Sequence, residues 1–395
     1  MKSRRSVDTE LLYRGNHIPG IAELPDTPPI YHATAYAVKD TDDYDRANRG
    51  EKYFYNRTAN PNRDCLGEII SYLEYGENTI ICSSGMAAIS TTLIGLLKAG
   101  DHIIVNRSIY GETIELLNCV LYNYGVEVDY VDLTDLSELE RAFKPNTVLI
   151  YTEIIANPLT AVVDIEKVAK LAKEHGALTV VDSTFTTPCV IRPLEFGADI
   201  VIHSLTKYFG GHSDLTGGSI TASETLIRHI RRTYLLLGCC MDPNSAWLFA
   251  RSARTMFMRV RKQNENANAI AKALKALPCV KVVYHPSLTD HPQHTLAEKL
   301  FTPGMYGAMI SFQVENDLQK VNAFLHRLEL IQYLGTLGGI RTSVTHPATA
   351  FKNEFSEAEL HAMGLWEGLI RISVGAEDAT DLINDLSQAL QVFNE

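Results

Sequence analysis

A lysine turns nucleophilic where burial or a neighbouring cation lowers its hold on the proton. Lys207 keeps suitable company: in His203-Ser204-Leu205-Thr206-Lys207-Tyr208-Phe209-Gly210-Gly211-His212, two hydroxyls precede it and two glycines follow. Ser204 and Thr206 can donate to a phosphate while Lys207 reaches an aldehyde. Upstream, Ser83-Ser84-Gly85-Met86-Ala87-Ala88 follows the apolar Thr79-Ile80-Ile81-Cys82. Small residues opening a helix present free N–H groups and a positive dipole end, which is a phosphate cradle. Asp182 closes the apolar run Leu178–Val181. A carboxylate there can hold a protonated pyridine nitrogen and keep the ring electron-poor. Arg371 lies inside Leu369-Ile370-Arg371-Ile372-Ser373-Val374-Gly375. An arginine in an apolar strand needs a partner, and its planar fork fits the α-carboxylate of an amino acid. Singly, these residues could be a helix start, a turn cap, a surface lysine and a structural ion pair. Together they specify pyridoxal 5′-phosphate (PLP) attached to Lys207, with an amino acid as substrate.

The elements between these residues are consistent with that reading. Asp101–Val105, Thr147–Tyr151, Leu178–Val181 and Ile200–Ile202 are short apolar runs, suited to strands buried on both faces. Between them lie helical patterns. The clearest starts at the N-cap Asp164, puts Ile165, Val168, Ala169 and Ala172 on one face, and ends before Gly176. Alternation of this kind from about 60 to 220 predicts an α/β fold with a mostly parallel sheet and sites at the carboxyl ends of its strands. Residues 1–54, broken by Pro19, Pro25, Pro28 and Pro29, read as an extended arm. Residues 55–255 form the large cofactor-binding unit. The stretch 220–265 is helical and basic, with Arg228, Arg231, Arg232, Arg251, Arg254, Arg259 and Arg261 reading as a solvated or interface surface. A smaller α+β unit spans 256–395 and ends in a helix over Asp378–Phe393.

Composition excludes several alternatives. A formal net charge of −11 argues against a nucleic-acid binder. The basic start, Met1–Arg5, has no apolar stretch behind it and so does not read as a signal peptide, and no run is long enough to span a membrane. Seven scattered cysteines without a C-x-x-C read as reduced thiols of a cytoplasmic protein. His291-Pro292-Gln293-His294 is the tightest histidine pair, but no cysteine or carboxylate cluster joins it, so no metal is expected.

From about residue 28 to the C-terminus the chain resembles the Cys/Met-metabolism PLP enzymes of fold type I, whose architecture is aspartate aminotransferase-like. These are the trans-sulfuration enzymes: cystathionine γ-synthase, the cystathionine β- and γ-lyases and methionine γ-lyase. The resemblance is carried by Tyr55-Asn56-Arg57-Thr58-Ala59-Asn60-Pro61, Ser84–Ala88, Tyr110-Gly111, Asn157-Pro158, Asp182–Phe185, the Lys207 segment, His346-Pro347-Ala348 and Arg371–Gly375. It implies that Lys207 carries the cofactor and shuttles protons, and that Asp182 holds the ring nitrogen. Gly85, Met86, Ser204 and Thr206 would bind the phosphate. Tyr55 and Arg57 would reach the phosphate in a neighbouring subunit of a homotetramer built as two dimers. Tyr110 would stack on the ring and act at the leaving group, Asn157 would approach the phenolic oxygen, and Arg371 would hold the substrate carboxylate.

The chain also departs from that family. Gly335, in Gly335-Thr336-Leu337-Gly338-Gly339, stands where the cystathionine γ-enzymes tend to place a glutamate suited to a distal amino group. Weaker recognition of cystathionine follows unless another residue supplies the charge; Thr336 keeps its hydroxyl. Methionine γ-lyases often carry cysteine two places after the stacking tyrosine, whereas this chain has Glu112. Arg341 replaces an acidic residue or lysine. Glu112 and Arg341 are therefore candidates for selecting the distal end of the substrate. The resemblance implies a carbon–sulfur lyase working by β- or γ-elimination. The alternatives are a γ-replacement synthase (cystathionine γ-synthase or O-acylhomoserine sulfhydrylase type) and, more remotely, a non-catalytic PLP-binding regulator.

Overall fold

The computed structural model describes residues 6–15, 26–352 and 356–395. Seven strands form the larger sheet: β1 (Asn78–Cys82), β2 (His102–Asn106), β3 (Glu127–Val131), β4 (Thr147–Glu153), β5 (Leu178–Asp182), β6 (Ile200–Ser204) and β7 (Gly218–Ala222). Their order is β1-β7-β6-β5-β4-β2-β3, and β7 alone runs against its neighbours. All four strands expected from sequence are present, and β4, β5 and β6 continue past the expected ends to polar residues.

Alternate residues of these strands enter different cores, as a period of two requires. Ile104, Ile150 and Val181 join one apolar cluster. Ile103, Val105, Leu149, Tyr151, Val180, Ile200 and Ile202 join the other. Helices therefore cover both faces. Ile165–Glu174 begins at Asp164, whose carboxylate accepts from the Lys167 N–H at 3.2 Å. Gly85–Leu96 begins at Ser84, whose hydroxyl accepts from the Ala87 N–H at 3.0 Å.

The helix Met256–Lys275 leads to a second, five-stranded sheet of order β10-β11-β12-β9-β8. Its strands are β8 (Val282–Tyr284), β9 (Met309–Gln313), β10 (Gln332–Tyr333), β11 (Ser343–Thr345) and β12 (Leu369–Ser373). The terminal helix, Ala379–Ala389, continues as a tighter turn to Phe393.

Two expectations need correction. The first 54 residues are not uniformly extended: Val7–Tyr13 and Thr41–Asn48 are helices, capped by Ser6 and Asp40, and Leu11 is buried. Local capping and one buried leucine outweigh the prolines, of which Pro19 and Pro25 lie outside the described residues, as does the basic start Met1–Arg5. The basic stretch is three helices, Glu224–Leu237, Pro243–Ala253 and Met256–Lys275, and its arginines are not all solvated. Arg259 is buried, donating to the carbonyls of Tyr208 (2.9 Å), Phe209 (3.2 Å) and Ser252 (2.9 Å). Among the described residues no helix is long and apolar enough to cross a membrane, and no group of His, Cys, Asp and Glu is placed to hold a metal. His294 instead contacts the Pro286 carbonyl through Nδ1 at 2.8 Å.

His285, just after β8, is fully buried, with Ser287 Oγ at 2.7 Å and the Gly307 carbonyl at 3.2 Å. Burial pushes its pKa down to about 4. The neutral ring belongs to the fold, whereas an unfolded histidine protonates near 6.5. The stabilisation is therefore complete above about pH 6.5 and lost as pH falls toward 4, a contribution on the order of 3 kcal/mol. In a calorimetric pH series, His285→Asn is expected to show a shallower fall of Tm between pH 6.5 and 4 than the parent. An equal slope in both would refute this assignment.

Candidate active site

Strand ends supply most of the site. Ser204 ends β6, Asp182 ends β5, Glu153 ends β4, and Ser84-Gly85 follow β1. These carboxyl ends open on one side of the sheet, where doubly wound folds bind ligands. They share a cavity of about 380 Å³ with Gly335 and Leu337 of the loop between β10 and β11, Thr345 of β11 and Arg371 of β12.

The cradle is tight. A Cβ on Gly85 would lie 2.9 Å from Cβ and Oγ of Ser204, so only glycine lets the helix start approach β6 so closely. Thr206 is fixed by the Gly217 N–H, which donates to its hydroxyl at 3.0 Å. The first turn of Gly85–Leu96 has no acidic residue to oppose an anion. Thr184 steadies the neighbouring strand end: its N–H donates to Asp182 at 2.9 Å, and its hydroxyl accepts from the Ser204 N–H at 2.8 Å.

Lys207 is largely buried. Desolvation first, then the Arg371 charge, lower its pKa below the usual lysine value, while Glu112 and Asp182 pull the other way. Arg371 donates to Asn157 Oδ1 at 2.9 Å and to Thr345 Oγ1 at 3.3 Å, and its buried Nε has no partner among the described residues. Burial brings its pKa down to about 10. Such a guanidinium still has capacity for a carboxylate. Burial also raises the Asp182 pKa, against hydrogen bonds from Thr184. The set fits PLP: an anion cradle, a carboxyl for the ring nitrogen, and an amine of lowered proton affinity for the aldehyde.

The cavity brings together Lys207, Tyr110, Asp182, Gly85, Met86, Asn157, Ser204, Thr206, Arg371 and Glu112. Four other sequence candidates do not line it. Tyr55 is exposed with the Arg57 guanidinium 5.5 Å from its ring centre, and Arg57 donates to the Leu235 carbonyl at 2.9 Å. Arg341 is exposed and Thr336 is half-buried.

Glu153 was missed as a site residue. It is paired in register with Asp182 across β4 and β5, and its carboxylate accepts from the Tyr110 N–H at 2.7 Å. Burial, then the Asp182 charge, hold its pKa well above the carboxylate range. A carboxylate just past an apolar strand run, the pattern that singled out Asp182, was the available signal. Two further supports were not legible. His203 meets buried Glu74 at 2.6 Å, and Arg259 holds the carbonyls after Lys207. Their partners lie far away in sequence.

Comparison with known proteins agrees with this geometry. A family model described as Cys/Met metabolism PLP-dependent enzyme matches residues 8–391. The chain is 39% identical over 365 residues to a cystathionine γ-lyase of Bacillus subtilis (strain 168), covering 92% of this chain and 93% of that protein. It is 37% identical over 368 residues to an L-methionine γ-lyase of Fusobacterium nucleatum subsp. polymorphum, covering 92% and 93%. A solved cystathionine γ-synthase from Xanthomonas oryzae pv. oryzae, in complex with aminoacrylate and cysteine, superposes with a TM-score of 0.92 at 35% identity, covering 99% of each chain. The fold is that of the type I PLP enzymes, as the sequence led us to expect.

The Glu153 contact has a measurable consequence. Glu153→Gln keeps an acceptor for the Tyr110 N–H, whereas Glu153→Ala leaves a buried donor unpaired, at a cost of about 1–3 kcal/mol. Titration of cofactor-free protein with PLP should give a Kd within about threefold of the parent for Gln and roughly tenfold weaker for Ala. Equal effects of both substitutions would count against the contact.

Proposed function

The chain belongs to the Cys/Met metabolism PLP-dependent enzyme family, and within it we propose a carbon–sulfur lyase acting on a sulfur-containing amino acid. The reaction is β- or γ-elimination, releasing a 2-oxo acid, ammonia and a thiol. The carrying observation is that Lys207, Asp182 and Arg371 meet in one cavity beside an anion cradle.

PLP, when bound, supplies the electron sink that stabilises negative charge at the substrate α-carbon. The protein does the rest. Gly85, Met86, Ser204 and Thr206 would hold the phosphate end, and Asp182 would keep the ring nitrogen protonated. Arg371 grips the α-carboxylate and so aims the α-proton at Lys207. The lowered proton affinity of Lys207 suits it to take that proton as a free amine. For a γ-leaving group the same amine also moves a proton at Cβ. Tyr110 would hold the cofactor ring and protonate the departing sulfur, and Asn157, which accepts from Arg371, would also help hold the cofactor.

The same reading extends to a cytoplasmic homotetramer, supported by seven unpaired cysteines and by Tyr55 and Arg57 standing outside their own cavity. There they would complete the phosphate site of a neighbouring subunit. The likeness to a cystathionine γ-synthase favours one second reading, γ-replacement.

Product analysis separates the two. Purified protein with PLP would be offered methionine, cysteine, homocysteine, cystathionine and O-acylhomoserines. We expect 2-oxo acid and ammonia from a sulfur amino acid without added thiol, and a loss of about 10²–10⁴-fold in Lys207→Ala together with its lysine-bound cofactor absorbance. A new thioether formed only when a thiol is added would replace the lyase reading with the synthase.

A further inference from the structure

The cavity is lined by five ionisable side chains: Lys207, Arg371, Asp182, Glu153 and Glu112. Four are committed. Arg371 is tied to Asn157 and Thr345, and its remaining capacity suits the α-carboxylate. Lys207 and Asp182 serve the cofactor, and Glu153 holds the Tyr110 N–H. Glu112 differs from all of these. It is exposed, and among the described residues its carboxylate makes no hydrogen bond or ion pair. Its charge is nevertheless felt at Lys207, so it stands within electrostatic reach of the reaction centre.

Among the described residues the lining cations are Lys207, which feels the Glu112 charge but serves the cofactor, and Arg371, whose free capacity suits the α-carboxylate. Exposed Arg341 is not part of the wall. On the same wall Gly335 offers no side chain, and a Cβ built there would meet nothing within 4 Å. The cavity is therefore polarised: cationic where the α-carboxylate belongs, anionic toward solvent. A carboxylate on an open wall attracts a cation and repels an anion, and charge patterns of this kind select partners more than they add raw affinity.

We propose that Glu112 is a specificity-determining residue that favours substrates carrying a second ammonium group beyond the sulfur, of which L-cystathionine and L-cystine are the simplest examples. Neutral thioethers such as methionine gain nothing from it, and acid-terminated homoserine esters are disfavoured. Gly335 leaves room for the distal group without supplying charge itself. This assignment rests on the lyase reading, because it names the substrate of that site.

The test uses the PLP-loaded enzyme and three amino acids of similar length without a sulfur leaving group: L-lysine, L-norleucine and L-2-aminoadipate. Binding is read from the visible absorbance of the bound cofactor. The parent should bind lysine about three- to tenfold more tightly than norleucine, and aminoadipate more weakly than either. Glu112→Gln should level that ranking, and Glu112→Lys should invert it. In parallel, the ratio of kcat/KM for cystathionine over methionine should fall in Glu112→Gln. A ranking indifferent to residue 112 overturns the proposal, even if 2-oxo acid is formed. A ranking that follows residue 112 while no substrate yields 2-oxo acid keeps the assignment and removes the lyase reading.

Discussion

Two cations in one cavity, Arg371 buried and Lys207 half-buried, set the terms for the rest of this structure. Lys207 and Arg371 both have lowered pKa values, burial being the first cause in each. Desolvation on that scale is tolerated only where hydrogen bonds or opposite charges are fixed nearby. The sheet provides them by ending its central strands together. Asp182 closes β5 and Glu153 closes β4, while Asn157, four residues beyond Glu153, meets Arg371. The parallel sheet is thus the device that delivers acidic and amide groups to one spot.

Much of this was legible in the sequence because it is local. A strand ending in Asp182, a small-residue turn opening a helix at Gly85 and two hydroxyls before Lys207 are adjacent-residue patterns, and each took the expected position. Contacts between distant segments were not legible. Arg259 looked like one more surface arginine because nothing near it in sequence reveals the carbonyls of Tyr208 and Phe209. Glu153 lies two residues past the expected strand end at Tyr151, and its pairing with Asp182 depends on strand order, which periodicity does not give. Arg341 stands out in the sequence because it departs from the family pattern, and it lies past the turn at Gly338 and Gly339, exposed and outside the lining of the cavity.

The site divides by depth. Its floor consists of groups already satisfied by backbone or by one another: Thr206 with Gly217, Asp182 with Thr184, Glu153 with Tyr110. Substitution there disturbs several contacts at once. The wall near Gly335 and Glu112 has no such web. Changes at the wall can alter which amino acid fits while leaving the cofactor framework intact.

Gly338 adopts a left-handed conformation with φ of +77°, and a side chain there would press within 3.1 Å of the Lys207 backbone and Cβ. The loop from the second sheet thus lies directly on the reactive lysine, and Arg259 holds the carbonyls of Tyr208 and Phe209 in the same segment. The two halves of the chain share a seam at its most sensitive point. Grafting the C-terminal half of a relative onto this protein would therefore require both sides of that seam to travel together: a crossover placed between Arg259 and Gly338 mixes two lineages around one lysine, whereas one placed before Met256 brings in the incoming clamp and turn as a matched pair.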